Sequence, residues 1–279
     1  MQFQSYHPVI HLVYFAAVIS FGLLFNHPCF LLCAYVCAFI CSIRIVGRKS
    51  VIYNFLLLLF AFAFTVFYSS YTHFGVTVLT VNIIGNRITL EALIRGAVIG
   101  IKAATLLMWF NVLHSVMTTD EIVYLFERIS PKLSLYLAIL LRMAPCINEE
   151  RKRIRYARRS AGIRQNPVIG FLSGVSILIS WSAERFSDSA DSMRSRGYTL
   201  KGRTAFSIYR FDNRDRAIVV FMFSLITVLI MAMILGDTAA IYSSLIKVTA
   251  VTGRKLLFCL VFVGLSIFPC IPMISKSDS

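Results

Sequence analysis

The sequence predicts an all-α fold: a polytopic bundle of about six transmembrane helices that carries a cytoplasmic module of amphipathic helices. Three observations predict it. The 279 residues are 58% hydrophobic and 15% charged, whereas a soluble domain is about a quarter charged. Several uncharged runs reach the roughly 20 residues that a helix needs to cross about 30 Å of hydrocarbon. These runs are continuously apolar, while the strands of a membrane barrel alternate over segments of about ten residues.

The elements follow in chain order. Met1 to Pro8 holds no Lys or Arg and no small-residue cleavage site follows it, so the first helix is expected to remain in the mature chain. Pro8 to Ile43 is uncharged but too long for one span, and Asn26-His27-Pro28 breaks it into a helical hairpin. Val51 to Thr72 is the third span. Gly75 to Arg95 alternates Val, Thr and Ile around Gly85-Asn86 in a strand or hairpin pattern. Gly96 to Thr118 is the fourth span and carries one charge, Lys102. Ala217 to Leu235 and Leu256 to Ile274 are the fifth and sixth. The chain thus divides into residues 1–118 (four spans with an outer loop near 73–95), 119–216 (a coupling-helix module) and 217–279 (two spans and a short tail).

Charge fixes the expected orientation. The net charge is +15, and Arg142 to Arg216 alone holds 16 Lys or Arg against 7 Asp or Glu. Lys and Arg beside spans resist translocation, so this segment is placed in the cytoplasm. Arg44, Arg48 and Lys49 fall on the same side, which makes both termini cytoplasmic, and Lys276 agrees. Arg87, Arg95, Arg254 and Lys255 run against the asymmetry.

The 119–216 module reads as about three helices. Thr118-Thr119-Asp120-Glu121 offers capping oxygens and acids suited to a helix N-terminus, with Ile122, Leu125 and Ile129 as the buried side. Pro131 fits the first turn of the next helix, which runs to Gly162, and Pro145 is expected to kink it. Its apolar stripe is Tyr136, Ile139, Leu140, Met143, Ile147 and Ile154, and Arg151, Arg155 and Arg159 form a charged ridge. Asn166-Pro167 then breaks the chain. Gln165 to Ala183 is uncharged for 19 residues, yet a seventh span there would put one basic cluster outside, so it is read as a surface helix. Its apolar side is Phe171, Val175, Leu178, Ile179, Phe186 and Met193.

Catalytic signatures are absent. No GxxxxGK[ST] phosphate loop, HExxH, GxSxG or CxxC occurs, so the chain is read as neither an ATPase nor an enzyme. Glu184, Asp188 and Asp191 share a helical face with several arginines and read as ion-pairing groups. His7 and His11 have a metal-compatible spacing with His27 near the same hairpin, and interfacial imidazoles are the blander reading. Cys29, Cys33, Cys37 and Cys41 form one stripe on the second span, read as small polarizable side chains that let helices approach. Lys102 can snorkel to the outer headgroups or face protein. No metal or cofactor is expected in this chain.

The most informative segment is SMRSRGYTLKGRT, Ser192 to Thr204. Gly197 can take the left-handed conformation that ends a helix, and Arg196 then presents a planar donor fork to a partner's carboxylate or carbonyls. Offsetting the helix dipole or binding lipid phosphate is the simpler role for Arg196. A comparable basic helix end, RYARRSAG from Arg155 to Gly162, lies 35 residues earlier by glycine position.

With these blocks the sequence resembles the transmembrane T components of energy-coupling factor transporters, the EcfT/CbiQ family that includes cobalt and nickel permease subunits. The resemblance runs from Gly75 onward, through GVTVLTVNIIGNRITLEALIRG, the segment from Thr118 to Gly162, and ERFSDSADSMRSRGYTLKGRT. It implies a helical scaffold in a bacterial or archaeal cell membrane. The family carries two Ala-Arg-Gly motifs that dock into two cytoplasmic ABC ATPase subunits. Ser195-Arg196-Gly197 matches the second motif with Ser for Ala. Ser160-Ala161-Gly162 matches the first without its central arginine, so Arg158 or Arg159 substitutes from about one turn earlier, or that dock is weaker. By the same resemblance ATP is bound by the partner subunits, and a small membrane S subunit holds the vitamin or metal ion to be taken up. The lipid bilayer is the remaining partner, with no nucleic acid. The rival readings are a self-contained secondary permease, with Lys102 and the histidines as candidates, and a membrane anchor for a peripheral protein.

Overall fold

The computed structural model describes residues 6–72, 75, 77–81, 87–162, 166–198, 209, 211–242, 246–247, 250 and 252–270. Lys276, Gly85-Asn86, the LKGRT end of the second motif block and the last four residues of the sixth expected span lie outside them. The described chain falls into two compact units, Met1–Thr118 with Tyr209–Ser279, and Thr119–Ile208.

The first unit is a bundle of apolar helices, and the protein is an all-α polytopic membrane protein. Its helices are α1 (Pro8–Leu24), α2 (Pro28–Val46), α3 (Lys49–Tyr71), α4 (Leu90–Val116), α8 (Asn213–Ile234) and α9 (Gly253–Ile267), the last extended by a 3-10 turn at Phe268–Cys270. Five of these, counting α9 with its turn, are long and apolar enough to cross a bilayer. The sixth, α1, is equally apolar at 17 residues, the lower end of spanning length. Two antiparallel ribbons complete the unit. One pairs β1 (Val78–Val81) with β2 (Arg87–Thr89), where the alternating Val/Thr/Ile pattern places a hairpin. The other pairs β3 (Ile241–Tyr242) with β4 (Ile246–Lys247).

Local chemistry starts these helices. His7 and His27 each precede a proline at the first helical position, and each imidazole Nδ1 accepts a backbone N–H two residues on, from Val9 at 3.3 Å and Cys29 at 3.4 Å. The sequence raised a metal for these histidines; the fold uses His7 and His27 as N-caps, which satisfy backbone donors that a helix start leaves open. At α8, the backbone N–H of Asp212 donates to the Asp215 carboxylate at 3.2 Å.

The core is aromatic and tightly approached. Tyr14, Phe15, Phe25, Phe30, Trp109 and Phe262 are fully buried, and Tyr14 and Phe15 meet Trp109 edge-on. Between α3 and α4 the backbones touch. A Cβ on Gly100 would stand 2.7 Å from the Ala61 carbonyl oxygen and one on Gly96 would stand 3.1 Å from that of Thr65. Small residues four apart therefore set this seam, as dispersion packing in lipid favours. Along α2 the cysteine stripe faces α9, with Cys33 Sγ 3.2 Å from Cys259 Sγ and Cys41 Sγ 3.3 Å from Cys270 Sγ. The close-packing reading of that stripe is the arrangement found.

Lys102 does not stand free in its span. Its Nζ donates to the Leu23 carbonyl at 2.8 Å and to Asn26 Oδ1 at 2.5 Å, so it ties α4 to the α1–α2 turn. Leu23 is in the last turn of α1, whose carbonyls lack an intrahelical partner, and Asn26 offers a side-chain oxygen in the break before α2; such acceptors need a donor inside a membrane.

The second unit comprises α5 (Thr119–Ile129), α6 (Pro131–Ser160) and α7 (Pro167–Ser195). α6 continues through Pro145 as helix. By length and composition, α7 is not among the five helices long and apolar enough to span.

Candidate functional site: two arginine-bearing helix ends

Both glycines singled out by sequence end helices in the left-handed region, Gly162 at φ +68° and Gly197 at φ +72°. At the end of α7 the Gly197 N–H donates to the Arg194 carbonyl at 3.0 Å and the Tyr198 N–H to the Met193 carbonyl at 3.1 Å. These paired reverse bonds close the last turn and consume two otherwise open carbonyls. At the end of α6 the Gly162 N–H donates to the Arg159 carbonyl at 3.2 Å, the counterpart of the first of these bonds. A Cβ on Gly162 would meet nothing within 4 Å, so backbone conformation rather than space is what asks for glycine there.

α6 and α7 pair antiparallel. Arg151 to Arg159 line one cavity with Gly170 to Leu178, and Leu135 to Cys146 line another with Arg185 to Arg196. The two glycine-ended tips therefore lie near opposite ends of α7, whose 29 residues span about 43 Å at about 1.5 Å per residue.

The arginines do not share one role. Arg158 turns inward, its two terminal nitrogens donating to the Gly170 carbonyl at 2.6 Å and Ser173 Oγ at 2.7 Å, which clamps the end of α6 to the first turns of α7. Arg159 is exposed, as are Ser160, Ala161 and Gly162. Of the two arginines proposed to stand in for the missing motif arginine, Arg159 is the exposed one, at the edge of the α6–α7 cavity that it also lines. At the other tip Ser195 and Arg196 are exposed, Ser195 Oγ donates to the Ser192 carbonyl at 2.9 Å, and Gly197 is half-buried. Arg196 lies at the rim of a cavity of about 440 Å³ that also touches Arg142, Arg185 and Asp188. Asp191 pairs with Arg194 one turn along at 3.3 Å, an exposed bridge that contributes little to stability.

The apolar faces are partly as the sequence places them. Met143 is buried and Ile139, Ile147, Ile154, Val175, Leu178 and Met193 are half-buried, but Tyr136, Leu140, Phe171, Ile179 and Phe186 are exposed. Periodicity alone merges these into one stripe. In the fold α7 carries two apolar faces, one against α6 and one outward.

One polar cluster escaped the sequence reading. Ser42, Ser50 and Asn54, all buried, join α2 to α3: Ser42 Oγ hydrogen-bonds Ser50 Oγ and donates to Asn54 Oδ1 at 3.2 Å, and Asn111 Nδ2 of α4 donates to Ser50 Oγ at 3.4 Å. Its available signal was Ser50 and Asn54, four apart at the start of an apolar run. Among the described residues no three His, Cys, Asp or Glu side chains gather into a metal-ligand set.

The described residues thus comprise a multi-pass helical bundle and a separate helical unit that carries two arginine-bearing helix ends. The chain belongs to the CbiQ cobalt transport protein family, whose model matches residues 4–208 and so takes in both tips. It is a transport component that works with partner subunits in a membrane complex. No individual curated protein matches the chain.

Proposed function

We propose that this chain is the energy-coupling T subunit of an ECF-type ABC importer in a bacterial or archaeal cell membrane. It links ATP binding and hydrolysis in two cytoplasmic ATPase subunits to a substrate-binding S subunit, for uptake of a vitamin or a metal ion; cobalt is the cargo the family's description carries. The observation that supports this reading most is the pair of exposed tips, Arg159 to Gly162 and Ser195 to Gly197, held apart by one rigid helix. Two ATPase grooves that close on ATP would pull on two such tips at once.

Coupling then requires that the tips contact the two ATPase states differently, because a connector indifferent to state shifts no equilibrium. Arg196 meets this need as a flat, permanently charged fork that can take a carboxylate or paired carbonyls in one geometry and lose them in the other. ATP is held by the partners, and both termini of this chain face the cytoplasm. The secondary-permease alternative gains nothing from Lys102, whose amine is spent on the α1–α2 turn.

Arg196→Glu is expected to leave the chain inserted but to lower recovery of the ATPases in mild detergent and to abolish coupled uptake. Affinity purification with identification of co-purifying subunits, paired with a transport assay, is the measurement. Unchanged recovery and transport in that variant would remove the docking role.

A further inference from the structure

We propose that the cleft between the C-terminal third of α6 and the N-terminal half of α7 binds one anionic phospholipid, its phosphate on Arg151 and Arg155 and its acyl chains along Phe171, Val175 and Leu178. Arg159 of the proposed ATPase contact also lines this cleft, whereas Arg196 lines the other one; the phosphate is assigned to Arg151 and Arg155 alone.

Charge complementarity carries the argument first. Residues 151–183, which supply both walls, contain seven Lys or Arg and no Asp or Glu. Arg153 pairs with Glu150 at 3.5 Å and Arg158 is spent on Gly170 and Ser173. Arg151 and Arg155 form no ion pair among the described residues, and both face the cleft. Two guanidinium groups four residues apart on one helix face suit a phosphodiester.

Polarity then selects the occupant. The cleft holds about 330 Å³ between a row of arginines and the apolar side chains Phe171, Val175 and Leu178. Gly170 and Gly174 leave open space on the α7 wall beside Phe171, Val175 and Leu178: a Cβ on Gly170 would meet nothing within 4 Å, and one on Gly174 would meet only Arg158 Nη1 at 3.7 Å. Apolar surface continues outward from the cleft, with Val168, Ile169, Phe171 and Leu172 each more than half exposed. An acidic peptide would satisfy the arginines and leave that surface uncovered; a lipid covers both.

The test uses the full chain in vesicles of phosphatidylcholine with a minor fraction of phosphatidylglycerol, extracted in mild detergent, with retained lipid counted by native mass spectrometry. Phosphatidylglycerol is expected to be enriched over phosphatidylcholine. Arg151→Gln with Arg155→Gln is expected to lower its retention about tenfold, and Arg151→Lys with Arg155→Lys to keep most of it. Gly174→Leu, which fills the cleft and leaves every charge, is expected to lower retention too, and it decides the matter if the double variant fails to fold. Equal retention of the two lipids, or unchanged retention in Gly174→Leu, would overturn the proposal. So would loss of co-purifying ATPase with lipid retention unchanged, which would assign the cleft to a protein, or displacement of the lipid by millimolar inorganic phosphate, which would make it a free-anion site.

Discussion

Arg158 and Arg159 are adjacent in sequence and opposite in use. One step along a helix turns a side chain by about 100°, so Arg158 is bonded to α7 while Arg159 is left exposed at the edge of the cavity. Arg158 holds the α6–α7 corner through two bonds shorter than 2.8 Å. Charged hydrogen bonds contribute about 1.5–3 kcal/mol when buried, and half-burial reduces the pair to about 1 kcal/mol. Arg158→Gln is accordingly expected to speed amide exchange about fivefold around Gly170 to Gly174. The same substitution should leave exchange near Arg196 unaltered, and hydrogen exchange with peptide-level mass spectrometry distinguishes the two regions.

At the scale of elements, the α3–α4 seam is a tightly constrained contact. Gly100 lies so close to the Ala61 carbonyl that any larger residue must move backbone, and overpacking of this kind costs about 1–3 kcal/mol. Gly100→Val is expected to lower the thermal midpoint in detergent by several degrees, while Gly22→Val, where a Cβ meets nothing within 4 Å, is expected to change it little. The α2–α9 seam is built differently, from thiols rather than glycines. Cys33 with Cys259, and Cys41 with Cys270, bring together residues more than 220 positions apart, so the final helix closes onto the second one.

For the whole molecule, the arrangement of interest is a bundle rich in lipid-compatible surface and a separate unit that carries the cationic tips. α3 illustrates the first: Ile52, Phe55, Leu56, Leu59, Phe62 and Phe67 are each more than half exposed, as suits a helix facing hydrocarbon. The orientation proposed for the second unit is testable in intact cells. Single cysteines at Tyr156 and Tyr198 are expected to react with a membrane-impermeant maleimide only after the membrane is opened, measured against the parent chain's own seven cysteines. Labelling of either position in unbroken cells would place the tips outside and end the ATPase-docking proposal.

How much was legible follows from what each signal depends on. Span positions depend on local hydrophobicity, so the apolar helices fall where the runs of the sequence place them, and the hairpin at β1–β2 follows from alternation over a few residues. The helix-ending glycines were legible for the same reason, since a left-handed residue is a local demand of the backbone. Only tertiary structure decided which arginine is clamped and which is left exposed, that Lys102 serves a turn, and that α7 has two apolar faces. Each of those depends on a neighbour distant in sequence or on a rotation of about 100° between adjacent side chains, and a linear pattern carries neither.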